Sequence, residues 1–107
     1  ISLLGLYDLM VVSSEEKHRK LFYKGIEGLE YKLPYYDYKR MWSIFGEHNL
    51  LSSTHYNLMN SKLLEVMYKV TNNRMFLLYS NFWSPYNKDL LQKIEINFFI
   101  KNGFKVR

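Results

Sequence analysis

His18, His48 and His55 are the side chains of this sequence whose ordinary pKa would let them exchange protons near neutral pH. A catalytic His needs a nucleophile and an orienting group that converge on it. His18 stands in the basic run Lys17-His18-Arg19-Lys20, and His48 and His55 lie in a polar stretch with no hydrolase or nucleotide-binding motif beside them. Gly5, Gly25, Gly28, Gly46 and Gly103 are scattered and build no phosphate cradle. Arg74 with Asn72 is the one nearby pair that could aim at a single anion. Without Cys there is neither a disulfide nor a thiolate ligand, and a zinc site built from three His would need unusual ligands. The sequence therefore predicts no catalytic residues, no metal and no cofactor.

Binding chemistry is better represented. Lys39, Arg40, Lys62 and Arg74 offer cations for phosphates, Asn57, Asn72 and Asn73 offer amides for sugars, and His55 and Tyr56 add polar and stacking rings. That mixture is the one by which proteins hold folded RNA. A net charge of +5 favours a polyanion or an anionic membrane surface without choosing between them. Apolar residues make up 48% and aromatics 18%, too much core-forming material for a disordered chain. At 107 residues the chain has room for one core, so a single domain over residues 1–107 is expected. Ala is absent while Phe, Tyr, Asn, Ile and Lys abound, a bias that AT-rich codons, as in many mitochondrial genomes, would produce. No apolar run is long enough to cross a bilayer, and nothing at the start looks like an Arg-rich transit segment. An organellar location would then imply synthesis in the organelle or a transit segment already removed.

The elements that would position these residues follow from periodicity. Residues 1–7 are apolar and read as a strand ended by Asp8. A helix follows, capped by Asp8 or by the box Ser13-Ser14-Glu15-Glu16, and ending at Gly25 or Gly28. Leu21, Phe22, Ile26 and Leu29 give its buried face, and Lys17, Arg19, Lys20 and Lys24 its wet one. Residues 29–45 alternate imperfectly as an irregular strand, with Pro34 at an edge or bulge. Residues 46–62 lack either period and read as a long loop. Residues 66–80 read as a second strand broken by Thr71-Asn72-Asn73-Arg74. Ser84 and Pro85 read as cap and first position of a short helix through Leu90, Leu91 and Ile94. Residues 96–106 close as one strand with a bulge at Asn102-Gly103, or as a tight hairpin. The expected class is α+β, a ferredoxin-like split βαβ in the order β-α-β-β-α-β. Two helices would cover one face of a four-stranded antiparallel sheet, and residues 46–65 would form an extended hairpin loop between its second and third strands.

In that order the motifs resemble the tenth-protein family of the small ribosomal subunit, in its organellar form. Tyr7-Asp8 stands where the family closes its first strand with Phe-Asp, and Leu33-Pro34 resembles its Leu-Pro before the second. Ser53-Thr54-His55-Tyr56-Asn57 is similar to the loop signature Ser-Pro-His-Val-Asn, with Ser61-Lys62 following like its Ser-Arg. Tyr68-Lys69-Val70 takes the place of an aromatic-Glu-Ile opening, and Ser84 through Ile96 follows the family's second helix. Thr54 in place of Pro, and Thr71 and Asn73 in place of Arg and His, depart from the pattern.

The resemblance implies a structural constituent of a mitochondrial ribosome, in the matrix, serving translation without chemistry of its own. Small-subunit rRNA would be held by Lys39, Arg40, His55, Asn57, Lys62, Asn72, Asn73 and Arg74. Tyr56, Leu58, Met59, Leu63 and Leu64 would pack on neighbouring proteins, the third, ninth and fourteenth of the subunit, with no membrane and no homo-oligomer. The rival reading is an accessory subunit of a mitochondrial membrane complex, to which the aromatic content is equally suited.

Overall fold

Asn72 and Asn73 do opposite jobs at adjacent positions, and the architecture turns on them. Asn72 adopts the left-handed conformation (φ 56°) that stops one helix, and the Asn73 side chain accepts from the Met75 N–H to start the next. The computed structural model describes residues 16–45 and 49–106, with side chains from residue 20 onward. Its elements are α1 (Glu16–Lys32), β1 (Asp37–Tyr38), β2 (Trp42–Phe45), β3 (Leu50–Leu51), α2 (Thr54–Thr71), α3 (Arg74–Trp83) and α4 (Leu90–Asn102). Two compact units divide the chain, Ile1–Tyr35 and Tyr36–Arg107.

In the first unit α1 runs through Gly25 and Gly28 to Lys32, past the glycines that were expected to end it. A lone Gly costs a helix interior only about 1 kcal/mol, less than a buried stripe supplies. Phe22, Ile26 and Leu33 are buried at helical spacing, whereas Leu21 is exposed and Lys20 and Lys24 are wet as expected. The stop comes at Leu33-Pro34, where proline disfavours a helical residue before it. The expected first strand and the capping Ser13 lie outside the described residues.

The second unit begins with a small antiparallel sheet in the order β1-β2-β3. Asp37 pairs with Ser43 and Tyr38 with Trp42, then Ile44 with Leu51 and Phe45 with Leu50. Lys39 and Arg40 make the first turn at positive φ, 49° and 57°, held by Asp37, whose Oδ2 accepts from the Arg40 N–H at 2.9 Å. Tyr38, Met41, Trp42, Ile44 and Leu51 form one core with Ile96 of α4, and Phe99, Ile100 and Val106 pack against it.

Next, α2 and α3 make a helical hairpin over the two-residue link at Asn72-Asn73. Ser61 and Ser80 exchange hydrogen bonds, each hydroxyl donating to the other's carbonyl at 2.8 Å, and Asn57 Nδ2 donates to the Trp83 carbonyl at 2.6 Å. The partner number falls from 83 to 80 as the position on α2 rises from 57 to 61, so the helices are antiparallel. Asn57, Ser61, Leu64 and Met67 of α2 and Phe76, Ser80 and Trp83 of α3 are the buried positions.

The split βαβ class is therefore corrected. The described residues hold four helices and a three-stranded antiparallel sheet, most of the chain being helical. The irregular strand over 29–45 is the end of α1, a turn at Pro34 and two short strands. The long loop between the second and third strands is β3 and the first half of α2, apart from residues 46–48, which lie outside the described set. The expected strand over 66–80 is the helical hairpin, whose partly polar buried face hid its 3.6-residue period. Ser84 and Pro85 belong to the connector after α3. The cap of α4 is Asp89, whose side chain takes the Gln92 N–H at 2.8 Å while Gln92 reaches back to the Asp89 N–H at 3.0 Å. The expected short helix through Leu90, Leu91 and Ile94 is the first half of α4, and the expected closing strand over 96–106 is its second half, stopped by Gly103 at φ 62°, with the tail after it.

Candidate functional site

The connector from Ser84 to Asp89 is shaped by what the end of α3 lacks. A helix leaves its last carbonyls without intrahelical partners. Here Lys88 Nζ donates to the Phe82 carbonyl at 2.6 Å and Asn87 Nδ2 to the Asn81 carbonyl at 2.7 Å, while Asn57 serves that of Trp83. Lys88 Nζ also donates to Asn87 Oδ1 at 2.7 Å, so two of its three N–H groups are spent and its ammonium is fixed in place. Burial pushes the Lys88 pKa below its ordinary value, and the Asp37 carboxylate pulls the other way.

Lys88 also lines an open cleft of about 160 Å³. Trp42, Pro85 and Ile96 supply its apolar walls, and Thr54, Lys88, Lys93 and Asn97 its polar groups. No carboxylate lines it among the described residues. Trp42 is oriented by its indole N–H, which donates to the Ser52 carbonyl at 2.7 Å. Thr54 is the first residue of α2, an 18-residue helix with no acidic side chain in its first turn, so the positive end of its dipole is uncompensated there.

The same first turn carries His55 and Tyr56, both exposed, with ring centroids 5.7 Å apart in an edge-on arrangement. Tyr56 also meets Phe45, at 6.1 Å. Ser53 caps the turn, its hydroxyl accepting from the Tyr56 N–H.

A second cluster is part-buried and self-satisfied. Tyr38 donates its hydroxyl to Glu95 Oε2 at 2.8 Å, and Lys39 Nζ lies 3.5 Å from the same oxygen. Burial first and Glu95 second raise the Tyr38 pKa, the opposite of what a phenol acting as base requires. Across the sheet Asp37 Oδ1 accepts from the Trp83 indole N–H at 2.7 Å, and burial followed by Asp37 raises the Tyr79 pKa.

The structure separates the residues that the sequence grouped as one RNA-facing hairpin. Lys39 and Arg40 occupy the β1–β2 turn, Lys39 against Glu95 and Tyr38 and Arg40 over the Phe82 ring at 5.9 Å. His55, Asn57 and Lys62 ride on α2, and Asn72, Asn73 and Arg74 sit at the far end of that helix, where it passes into α3. Asn57 is fully buried, and Lys62 pairs with Glu65 at 3.8 Å on the surface of α2. Of the expected protein contacts, Tyr56 is exposed, Leu58, Met59 and Leu63 are half-buried, and Leu64 is fully buried in the chain's own core. Thr54, Lys88, Lys93 and Asn97 were not singled out from sequence. The usable signal was the polar, proline-containing run Ser84-Pro85-Tyr86-Asn87-Lys88-Asp89 between two apolar stretches, which is loop chemistry rather than a helix start.

The fold is that of a helix-rich protein, with a small pocket lined by two lysines, a threonine, an asparagine and three apolar residues. The model of the family described as D-glucuronyl C5-epimerase C-terminus matches residues 1–85, and the chain belongs to that family. No curated protein and no solved structure matches it. Membership overturns the ribosomal resemblance, and with it the role in translation and the partnership with rRNA and ribosomal proteins. Among the described residues, the third and fourth strands on which that order of motifs rested are helical. Membership also makes the chain enzyme-related, where the sequence predicted a part without chemistry of its own. No described helix is long and apolar enough to cross a membrane.

Proposed function

We propose that this chain contributes proton-handling groups to an enzyme that inverts C5 of a D-glucuronyl unit. The family match over residues 1–85 carries this reading. C5 of such a unit is adjacent to the carboxyl group. Inversion there breaks the C5–H bond, passes its electron pair into the carboxyl group, and forms a new C5–H bond on the opposite face. The change needs no redox partner, only groups that take and give a proton and something that steadies the extra negative charge.

Among the described residues of the matched stretch, His55 and Tyr56 are exposed, of suitable type and side by side. The helix end beneath them, without acidic residues in its first turn, favours the negative charge that builds on the carboxyl group. Tyr38 is the weaker candidate, because it is buried and its hydroxyl is committed to Glu95.

The test is incubation of the full chain with a D-glucuronyl polysaccharide in deuterium oxide, reading deuterium at C5 by NMR. Exchange is expected in the native chain, and Tyr56→Phe should slow it by a factor on the order of 100 or more, the usual worth of a positioned acid or base. Absence of exchange in the native chain would overturn the reading; native rates in both Tyr56→Phe and His55→Ala would remove these two residues from it.

A further inference from the structure

Four of the seven residues around the cleft (Lys88, Lys93, Ile96 and Asn97) lie beyond residue 85, outside the stretch the family match covers. The pocket is thus built by joining the matched part, which gives Trp42, Thr54 and Pro85, to the α4 segment that follows it. We infer that this cleft is a binding site for a single carboxylate-bearing sugar ring, with Lys88 and Lys93 holding the acid and Thr54 and Asn97 the hydroxyls. The choice of a uronic acid among acidic sugars rests on the epimerase reading; the rest stands on the geometry.

Three features select this ligand class. The polar groups are two ammoniums, a hydroxyl and an amide, with no acid among the lining residues, which suits an anion carrying neighbouring hydroxyls. The apolar lining residues are Trp42 and Ile96, nearly fully buried in the core, and the more open Pro85, an apolar surface that suits the C–H face of a pyranose better than a bare inorganic ion. At about 160 Å³ the cleft falls below the roughly 300 Å³ at which drug-sized pockets begin, so it accepts one ring and leaves a longer glycan in solvent.

The two lysines are prepared differently. Lys88 is held by the Phe82 carbonyl and by Asn87 with one N–H to spare, a fixed charge that loses no rotamer freedom on binding. Its lowered pKa marks an ammonium short of water, which an incoming carboxylate would restore. Lys93 is exposed and has no ion-pair partner among the described residues, so it can swing over a bound acid. Asp37, the opposite charge acting on Lys88, is already occupied by Trp83 and the Arg40 N–H.

The experiment is a calorimetric titration of the full chain with four probes: methyl β-D-glucuronide, methyl β-D-glucoside, sodium acetate and glucose 6-phosphate. The glucuronide should bind at least about tenfold more tightly than each of the others, the worth of one charge-assisted hydrogen bond. Lys93→Gln should cost the glucuronide a similar factor, and Asn97→Asp, which sets a carboxylate in the cleft, should abolish binding. Both positions are exposed, and circular dichroism will show the fold intact. Equal binding of glucoside or acetate would overturn the inference, as would preference for the phosphate ester, which would make this a phosphate site. Glucuronide binding that ignores both substitutions would place the ligand elsewhere and overturn it too. Cleft binding without C5 exchange would sink the epimerase reading and leave the cleft standing; exchange in a chain whose cleft binds nothing would do the reverse.

Discussion

The seam between α2 and α3 and the outer face of α4 invert the usual distribution of side chains. The seam is buried yet rich in polar residues: Asn57, Ser61 and Ser80, with Ser43 and Ser52 of the adjoining sheet, are all at most 6% exposed. The α4 face is wet yet apolar, with Leu90, Leu91, Ile94 and Phe98 all more than half exposed at positions that recur every three to four residues. Polarity is a poor guide to burial when a polar group can be fully satisfied inside. In the seam every one is. Asn57 Oδ1 accepts from both the N–H and the hydroxyl of Ser43, its amide donates to Trp83, and no buried side-chain polar atom is left without a partner among the described residues. A hydroxyl has one proton, so with Ser43 donating to Asn57, Ser52 must donate to Ser43 across their 2.8 Å contact. Donors of known type thereby fix which end of the Asn57 amide is oxygen.

The comparison breaks most decisively at Asn57. Asn57→Ala strands the Ser43 N–H and the Trp83 carbonyl in a site with no room on the surface, and each such group costs about 1–3 kcal/mol. Loss of roughly 3 kcal/mol or more is expected in urea unfolding. A loss below about 1 kcal/mol would mean that water replaces the amide and that the seam does not depend on its polar closure.

A smaller effect sharpens the same comparison. Ser61→Ala and Ser80→Ala each remove one interhelical hydrogen bond and should each cost about 1 kcal/mol. The two bonds use different donors and different acceptors, so the double variant should add to within about 0.5 kcal/mol. A coupling well above that would show the pair acting as one clasp, with the helices separating once either half is gone.

This inversion also explains what the sequence could and could not disclose. The face of α1 was legible in outline because Phe22, Ile26 and Leu29 are apolar and point where apolar residues are expected. On α2 the buried stripe begins Asn57, Ser61, and only then Leu64, Met67, so half of it reads as surface and the segment passes for a polar loop. On α4 apolar residues stand on both sides, and the period cancels. Local chemistry was present nonetheless: Asn-Asn as stop and start, Asp89 with Gln92 as a capping box, and Asn-Gly as a helix end. Those signals were outweighed by alternation among large aromatic residues, which a half-buried helix can mimic over five or six positions. The cleft was less legible still, because Trp42, Thr54, Lys88 and Asn97 come from four separate segments and meet only in the folded unit. His55 and Tyr56 were singled out in the sequence as an rRNA contact and a protein contact; the family match removes those partners and assigns the two residues no role.

The smallest expected effect is at the other pole of the comparison. Leu91 is 78% exposed, and its neighbours on α4 that hold the core are Ile96, Phe99 and Ile100 on the opposite side. Leu91→Lys removes no buried contact and keeps a good helix former, so the unfolding free energy should move by no more than about 0.5 kcal/mol. The same change in a buried position such as Leu64 would leave an unpaired charge in the core and unfold the unit. If Leu91→Lys instead lowers the melting temperature by many degrees, the outer face of α4 is covered when the chain is folded in solution. The α4 face would then follow the ordinary rule that apolar residues are hidden, and the seam alone would invert it.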